Sequence, residues 1–220
     1  MKRKKNYFFF ALLALLLLPS LALARKPQRP VRPKAAASPA IDPSRFFAVR
    51  PGLVRIYEGR TKADTDGDPP AGASCEVLES KPRGGDAAGS MKESCSMIVG
   101  RKAKPATELS YELRKDGIWN TLVLAAGMSA PQPVGRLVLP APLKVGASWK
   151  EPRGGVELDR TVKSTGGACK AAGRGFADCL VLNVVQKQGK NVVRRYTETY
   201  AAGVGLVEDA QWELVDVKGL

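Results

Sequence analysis

The chain has 220 residues, 35 of them Lys or Arg against 21 Asp or Glu, with four Cys and no His. The missing His excludes Ser-His-Asp and Cys-His catalysis and removes the commonest general base and catalytic metal ligand. Lys and Arg are not clustered with interleaved aromatics, which argues against a nucleic-acid partner.

The first 24 residues have the three zones of a cleavable secretory signal peptide. Lys2, Arg3, Lys4 and Lys5 make a basic start, and Phe8 to Leu18 is an unbroken apolar run. Pro19 and Ser20 break that run, and Ala22-Leu23-Ala24 places small residues before a cut after Ala24. The apolar run is about half of the ~20 residues that span a bilayer. No Cys follows the cut, so no lipid attachment is expected there, and no later segment is apolar for long enough to span a membrane. Four of the 35 basic residues leave with this peptide, so 31 remain against 21 acidic ones, near +10. The compartment expected is the periplasm or the exterior.

Residues 25–45 carry Pro27, Pro30, Pro33, Pro39 and Pro43 among Ala and charged residues, and read as a disordered Pro-rich linker. One domain, residues 46–220, is expected after it, long enough to bury a core.

Within that domain the pattern is strand and turn. Leu53-Val54-Arg55-Ile56-Tyr57 opens it. Asp64-Thr65-Asp66-Gly67-Asp68 follows as a loop. Asp64, Asp66 and Asp68 alternate as a calcium loop requires, but Pro69 and Cys75 stand where an EF-hand loop needs Gly and Glu. A solvated acidic turn fits better, and no metal or cofactor is expected. Strands are then predicted at Cys75–Glu79, Ser94–Gly100, Leu109–Arg114 and Ile118–Ala125, the last two joined by a hairpin at Asp116-Gly117. A Pro-rich passage from Pro131 to Pro142 contains Arg136-Leu137-Val138-Leu139. Further strands are predicted at Ser148–Lys150, Val156–Lys163, Cys179–Gln186, Val192–Tyr200 and Gly205–Val217, with a hairpin at Gln188-Gly189-Lys190. Gly203-Val204-Gly205 permits a turn or bulge; it lacks the Lys and helix of a phosphate loop. No segment keeps a 3.6-residue apolar period over three turns. The fold class predicted is all-β: an antiparallel sandwich or open barrel, with two related halves as an option.

The option of related halves rests on Tyr111-Glu112 before Gly117-Ile118 and Thr197-Glu198 before Gly203-Val204. An aromatic opener (Tyr57, Trp149) and a Cys leading an apolar strand (Cys95, Cys179) add to it. If the halves are related, Glu112 and Glu198 become a candidate carboxylate pair for a hydrolase; the alternative is two glutamates on a solvated strand face.

Four Cys in an exported chain read as two disulfides. Of three possible pairings, the local ones, Cys75–Cys95 and Cys169–Cys179, each close a loop between neighbouring strands. Zinc would require close Cys pairs or His. Trp149 and Trp212 read as core or sheet-end aromatics.

The stretch Pro142-Leu143-Lys144-Val145-Gly146-Ala147-Ser148-Trp149, then Gly175-Phe176-Ala177-Asp178-Cys179, then Tyr200-Ala201-Ala202-Gly203-Val204-Gly205-Leu206-Val207 resembles a group of uncharacterised bacterial secreted proteins and lipoproteins. Arg114-Lys115-Asp116-Gly117-Ile118 fits the same layout. The resemblance implies a β-rich extracytoplasmic domain and no reaction, so no catalytic residue is carried over. This chain departs from the group in lacking a lipid-attachment Cys and in having Lys150 after the Trp.

The function expected is therefore an exported, non-enzymatic β domain that binds or supports a component of the cell envelope. Its oligomeric state is not legible. A lipid or lipoprotein carrier is one alternative, and it would need Leu122, Leu124, Leu180, Leu182 and Val184 to line a cavity. The carboxylate-dependent hydrolase is the other.

Overall fold

Period-2 alternation of apolar and polar residues gives strands with one buried face, and the described residues form thirteen strands. The computed structural model describes residues 40–47, 50–60, 71–85, 87–99 and 102–220. The signal peptide and the calcium candidates Asp64, Asp66 and Asp68 lie outside the described residues, as does the linker up to residue 39.

The strands are β1 (Val54–Gly59), β2 (Gly72–Lys81), β3 (Gly89–Val99), β4 (Lys102–Ala103), β5 (Thr107–Arg114), β6 (Gly117–Leu124), β7 (Gln132–Pro140), β8 (Ser148–Arg153), β9 (Val156–Ala171), β10 (Arg174–Gln188), β11 (Asn191–Ala201), β12 (Gly205–Glu208) and β13 (Trp212–Lys218). They form one antiparallel sheet in the order β7-β6-β5-β3-β2-β1-β13-β12-β11-β10-β9-β8, with the short β4 beside β3. The all-β prediction holds, in the form of a nearly closed barrel. Its two ends, β7 and β8, are consecutive in the chain and share no hydrogen-bonded ladder.

Each half of the sequence crosses the sheet in chain order, and the halves meet where β1 pairs with β13. Glu112 falls on β5 and Glu198 on β11.

The turns follow local chemistry. Gly117 has φ +144°, and a Cβ there would stand 2.3 Å from the Leu139 carbonyl oxygen, so the hairpin into β6 requires glycine. The expected single strand over 205–217 is instead β12, a turn and β13. Asp209 causes the break, because its Oδ1 accepts from the Gln211 and Trp212 amides at 2.7 and 2.8 Å. Strands β9 and β10 extend well beyond Val156–Lys163 and Cys179–Gln186; Cys169 and Cys179 join their far ends.

The folded body begins before Phe46. Ile41 exchanges backbone hydrogen bonds with Leu143 at 3.0 and 2.9 Å, and Asp42 caps a 3₁₀ turn over Pro43–Phe46. That turn drives Phe46 into the core and sets Phe47 edge-on to Tyr111, ring centroids 5.0 Å apart. Residues 41–45 were expected in the linker; burying Pro43 and Phe46 commits them to the barrel.

Inward positions of the first half divide into two layers. Leu53, Val77, Met91, Leu113, Ile118 and Leu139 pack in the apolar core. Two residues further along the same strand faces stand Arg55, Cys75, Glu93, Tyr111 and Asn120, which line an internal cavity.

Both disulfides are formed as the local pairs: Cys75–Cys95 directly opposite on β2 and β3, and Cys169–Cys179 between β9 and β10. Their sequence separations are 20 and 10 residues. In the chain-entropy account each closure contributes about 3 kcal/mol. Replacing either pair with alanines should lower stability by about that amount, read as a lower urea midpoint; an unchanged midpoint for both pairs would refute the estimate.

Candidate functional site

The cavity occupies about 370 Å³ inside the polar layer of the barrel. Its wall is built by two clusters of the same type. In each, an arginine reaches across one strand to a glutamate two strands away.

In the first cluster, Arg55 of β1 donates to Glu93 of β3, and the hydroxyl of Tyr111 on β5 donates to the same carboxylate at 2.8 Å. Cys75 of β2 is the register partner of Arg55, and Val77 that of Glu93; the Cys75–Cys95 disulfide forms part of the wall. In the second, Arg160 of β9 holds Glu198 of β11 through Nε and a terminal nitrogen, both at 2.9 Å. This is the bidentate fork that a guanidinium and a carboxylate favour. Its other terminal nitrogen donates to Glu151 of β8. Arg153 also reaches Glu151 at 3.2 Å, and Tyr200 donates to Glu198 at 3.1 Å. Leu182 and Val184 of β10 are the register partners of Glu198 and Arg160, so the fork crosses the barrel wall over an apolar floor.

These charges are buried: Arg55 is 6% exposed, Arg160 3%, Glu151 2% and Glu198 4%. Burial alone would lower the Arg55 pKa. Electrostatic interactions with Tyr57, Glu93 and Tyr111 more than reverse this and hold it above its ordinary value. Arg160 is likewise raised, with Glu198, Tyr200 and Glu151 outweighing desolvation. Burial also raises the Asp209 carboxyl, against the two amides that donate to it.

The remaining wall is mixed. Phe47, Met97, Leu109, Val138 and Trp212 supply apolar surface, and Arg136 of β7 supplies a further cation. Exposed Met97, Arg153 and Gln211 lie toward solvent. Among the described residues, no group of three or more Cys, Asp or Glu is arranged to hold a metal ion.

The structure separates the expected carboxylate pair. Tyr111 and Leu113 face inward, so Glu112 between them faces out, where it is half exposed and bonded to Arg114 at 2.7 Å. Glu198 is buried inside and saturated by Arg160. Opposite faces of one sheet make no dyad of Glu112 and Glu198. The residues named for an apolar carrier cavity do not line this one. Leu180, Leu182 and Val184 are buried in the core, and Leu122 is 37% exposed. Trp149 packs against the core, whereas Trp212 is in the cavity wall.

Arg55, Glu93, Arg136, Glu151 and Arg160 were not singled out from the sequence. The signal was present in phase. Leu53-x-Arg55-x-Tyr57 and Leu158-x-Arg160-x-Val162 put a charge on the apolar face of an alternating strand.

No family model matches the sequence, and no curated protein matches it. Among solved structures, a Bacteroides fragilis protein with a YmcC-like fold is similar at 11% identity and a TM-score of 0.48. The match covers 82% of this chain and 100% of that one.

Two outcomes are expected. Arg160→Met strands two buried carboxylates and should cost about 3–5 kcal/mol in urea unfolding. Replacing Glu151 and Glu198 by Leu in the same chain should recover most of that loss; a triple variant no better than the single one would contradict this account. The second concerns tyrosine. Burial pushes Tyr57 and Tyr196 up to about 12, and Tyr111 and Tyr200 well above 10. A folded pKa above the unfolded value of 10.0 means that stability is intact below pH 10 and falls as pH rises through the folded values. After removal of residues 1–24, tyrosinate absorbance should therefore appear only with unfolding, above the pH at which free tyrosine titrates.

Proposed function

We propose that this chain is an exported, non-enzymatic β domain of the cell envelope that takes a small molecule into its barrel. The observation that carries the reading is the cavity of about 370 Å³, a volume in the range of small-ligand sites. Its wall combines apolar and aromatic surface with a few fixed polar groups, as such sites do.

Glu93, Glu151 and Glu198 each accept from an arginine. Carboxylates so held give shape and fixed charge to the cavity and are poorly placed to exchange protons with a substrate. This supports binding over catalysis. Export is supported by the signal-peptide pattern of residues 1–24 and by the two disulfides, which persist in oxidising compartments. The resemblance of 142–149 and 200–207 to bacterial secreted proteins points the same way.

Two measurements test the reading. Full-length chain expressed in a Gram-negative host should be recovered outside the cytoplasm with Arg25 at its N-terminus and no free thiol. The neutral probe N-phenylnaphthylamine should gain fluorescence on binding the mature protein. It should lose that gain with Ala73→Trp, which places an indole in the cavity wall. Retention of the uncut chain in the cytoplasm would refute export, and no fluorescence gain with the wild type would refute cavity binding.

A further inference from the structure

The partners of the cavity's polar groups do not balance. The three buried glutamates of the wall are matched by cations: Glu93 by Arg55, with Tyr111, Glu198 by Arg160, with Tyr200, and Glu151 by Arg160 and Arg153; Asp209, also in the wall, accepts from the Gln211 and Trp212 amides. Donors are left over. Arg55 Nε is buried without a hydrogen-bond partner, although the residue is 6% exposed. Arg136, half-buried on β7, faces the cavity with no ion pair to any described residue. A buried donor without an acceptor is costly, and an unpaired guanidinium more so. What Arg136 lacks is therefore an acceptor, and a negatively charged one.

The surroundings of Arg136 define the rest of the ligand. Asn120 is its register partner on β6, and Tyr111 is the register partner of Asn120 on β5, so the three stand side by side across the sheet. Val138 follows on β7, and Leu109 precedes Tyr111 on β5. Both line the cavity, with Phe47 and Met97 completing its apolar side. A planar guanidinium bonds a carboxylate through two parallel N–H donors.

Resting on the reading of the barrel as a binding domain, we propose that the cavity is a site for a small amphiphilic carboxylate. Its head pairs with Arg136, and its apolar body lies against Phe47, Met97, Leu109 and Val138. The internal arginine–glutamate clusters hold the wall open and are not consumed by the ligand. Arg136 has no ion pair to any described residue, and its fork favours an anionic head at that place in the wall. A cationic amphiphile finds no partner in Arg136, and a neutral one leaves Arg136 unsatisfied.

Displacement of N-phenylnaphthylamine from the disulfide-intact mature protein tests this with decanoate, decanol and decyltrimethylammonium as probes. Decanoate should displace the dye best, and Arg136→Gln should weaken decanoate about tenfold or more while leaving decanol unchanged. Arg136→Lys should restore part of the affinity, because it keeps the charge and loses the fork. Unfolding of each variant in urea checks that the barrel is intact. If decanol displaces the dye as well as decanoate, or if Arg136→Gln leaves decanoate binding unchanged, the carboxylate site is overturned while the cavity reading stands. If the dye itself does not bind, the binding reading fails with it.

Discussion

The structure depends on a guanidinium spanning the inside of a barrel. A closed sheet of eight strands is just wide enough for its own side chains to fill. This sheet has twelve strands along its path, so apolar side chains alone leave a void. One layer is filled by Leu53, Val77, Met91, Leu113, Ile118 and Leu139, with Phe46 inserted from the 3₁₀ turn. In the next layer the longest side chains take over. Arg160 ties β9 to β8 and β11, and Arg55 ties β1 to β3. Each arginine is buried, so each must be neutralised where it stands. This is why glutamates occupy inward positions on β3, β8 and β11.

Hollowness follows from the same arrangement. Charged side chains locked to one another across the wall cannot collapse inward as leucines would. They leave a cavity whose surface has fixed polarity. Low dielectric strengthens the pairs and raises the tyrosines packed among them, with Tyr111 and Tyr200 completing the glutamates' hydrogen bonds. In such a wall Glu93, Glu151 and Glu198 are each already held by an arginine.

The gap in the barrel has a covalent reason. Strands β7 and β8 would have to pair to close it. Pro133 and Pro140 lie on β7 and Pro152 on β8. Proline has no amide hydrogen for a ladder, and within sheets it is confined to edges. These prolines also protect the two free edges against pairing with another chain. Arg136 and Val138 on one side, with Glu151 and Arg153 on the other, bring the cavity wall to this seam.

Strands, hairpins and disulfides were legible in the sequence because their causes are local. Alternation over Leu109–Arg114, glycine at 117 and 189, and the even Cys count act over a few residues or through simple pairing. The break at Asp209 was local too, a short side chain capping its own turn, but an apolar run on either side concealed it. Residues 41–45 were misassigned because proline content alone does not reveal that Leu143, some hundred residues on, offers Ile41 a backbone partner. The site itself was decided by tertiary structure. Arg55 and Glu93 are 38 residues apart, as are Arg160 and Glu198, and only strand order and register bring each pair to one face of the wall. The same reason separates Glu112 from Glu198. Their spacing to the following glycine is identical in the sequence, but the pleat turns one to solvent and the other into the barrel. Sequence by itself determined that the chain forms a disulfide-linked antiparallel β structure. Which charges that sheet encloses was settled by closure, because burial belongs to a face of a folded sheet and not to a residue.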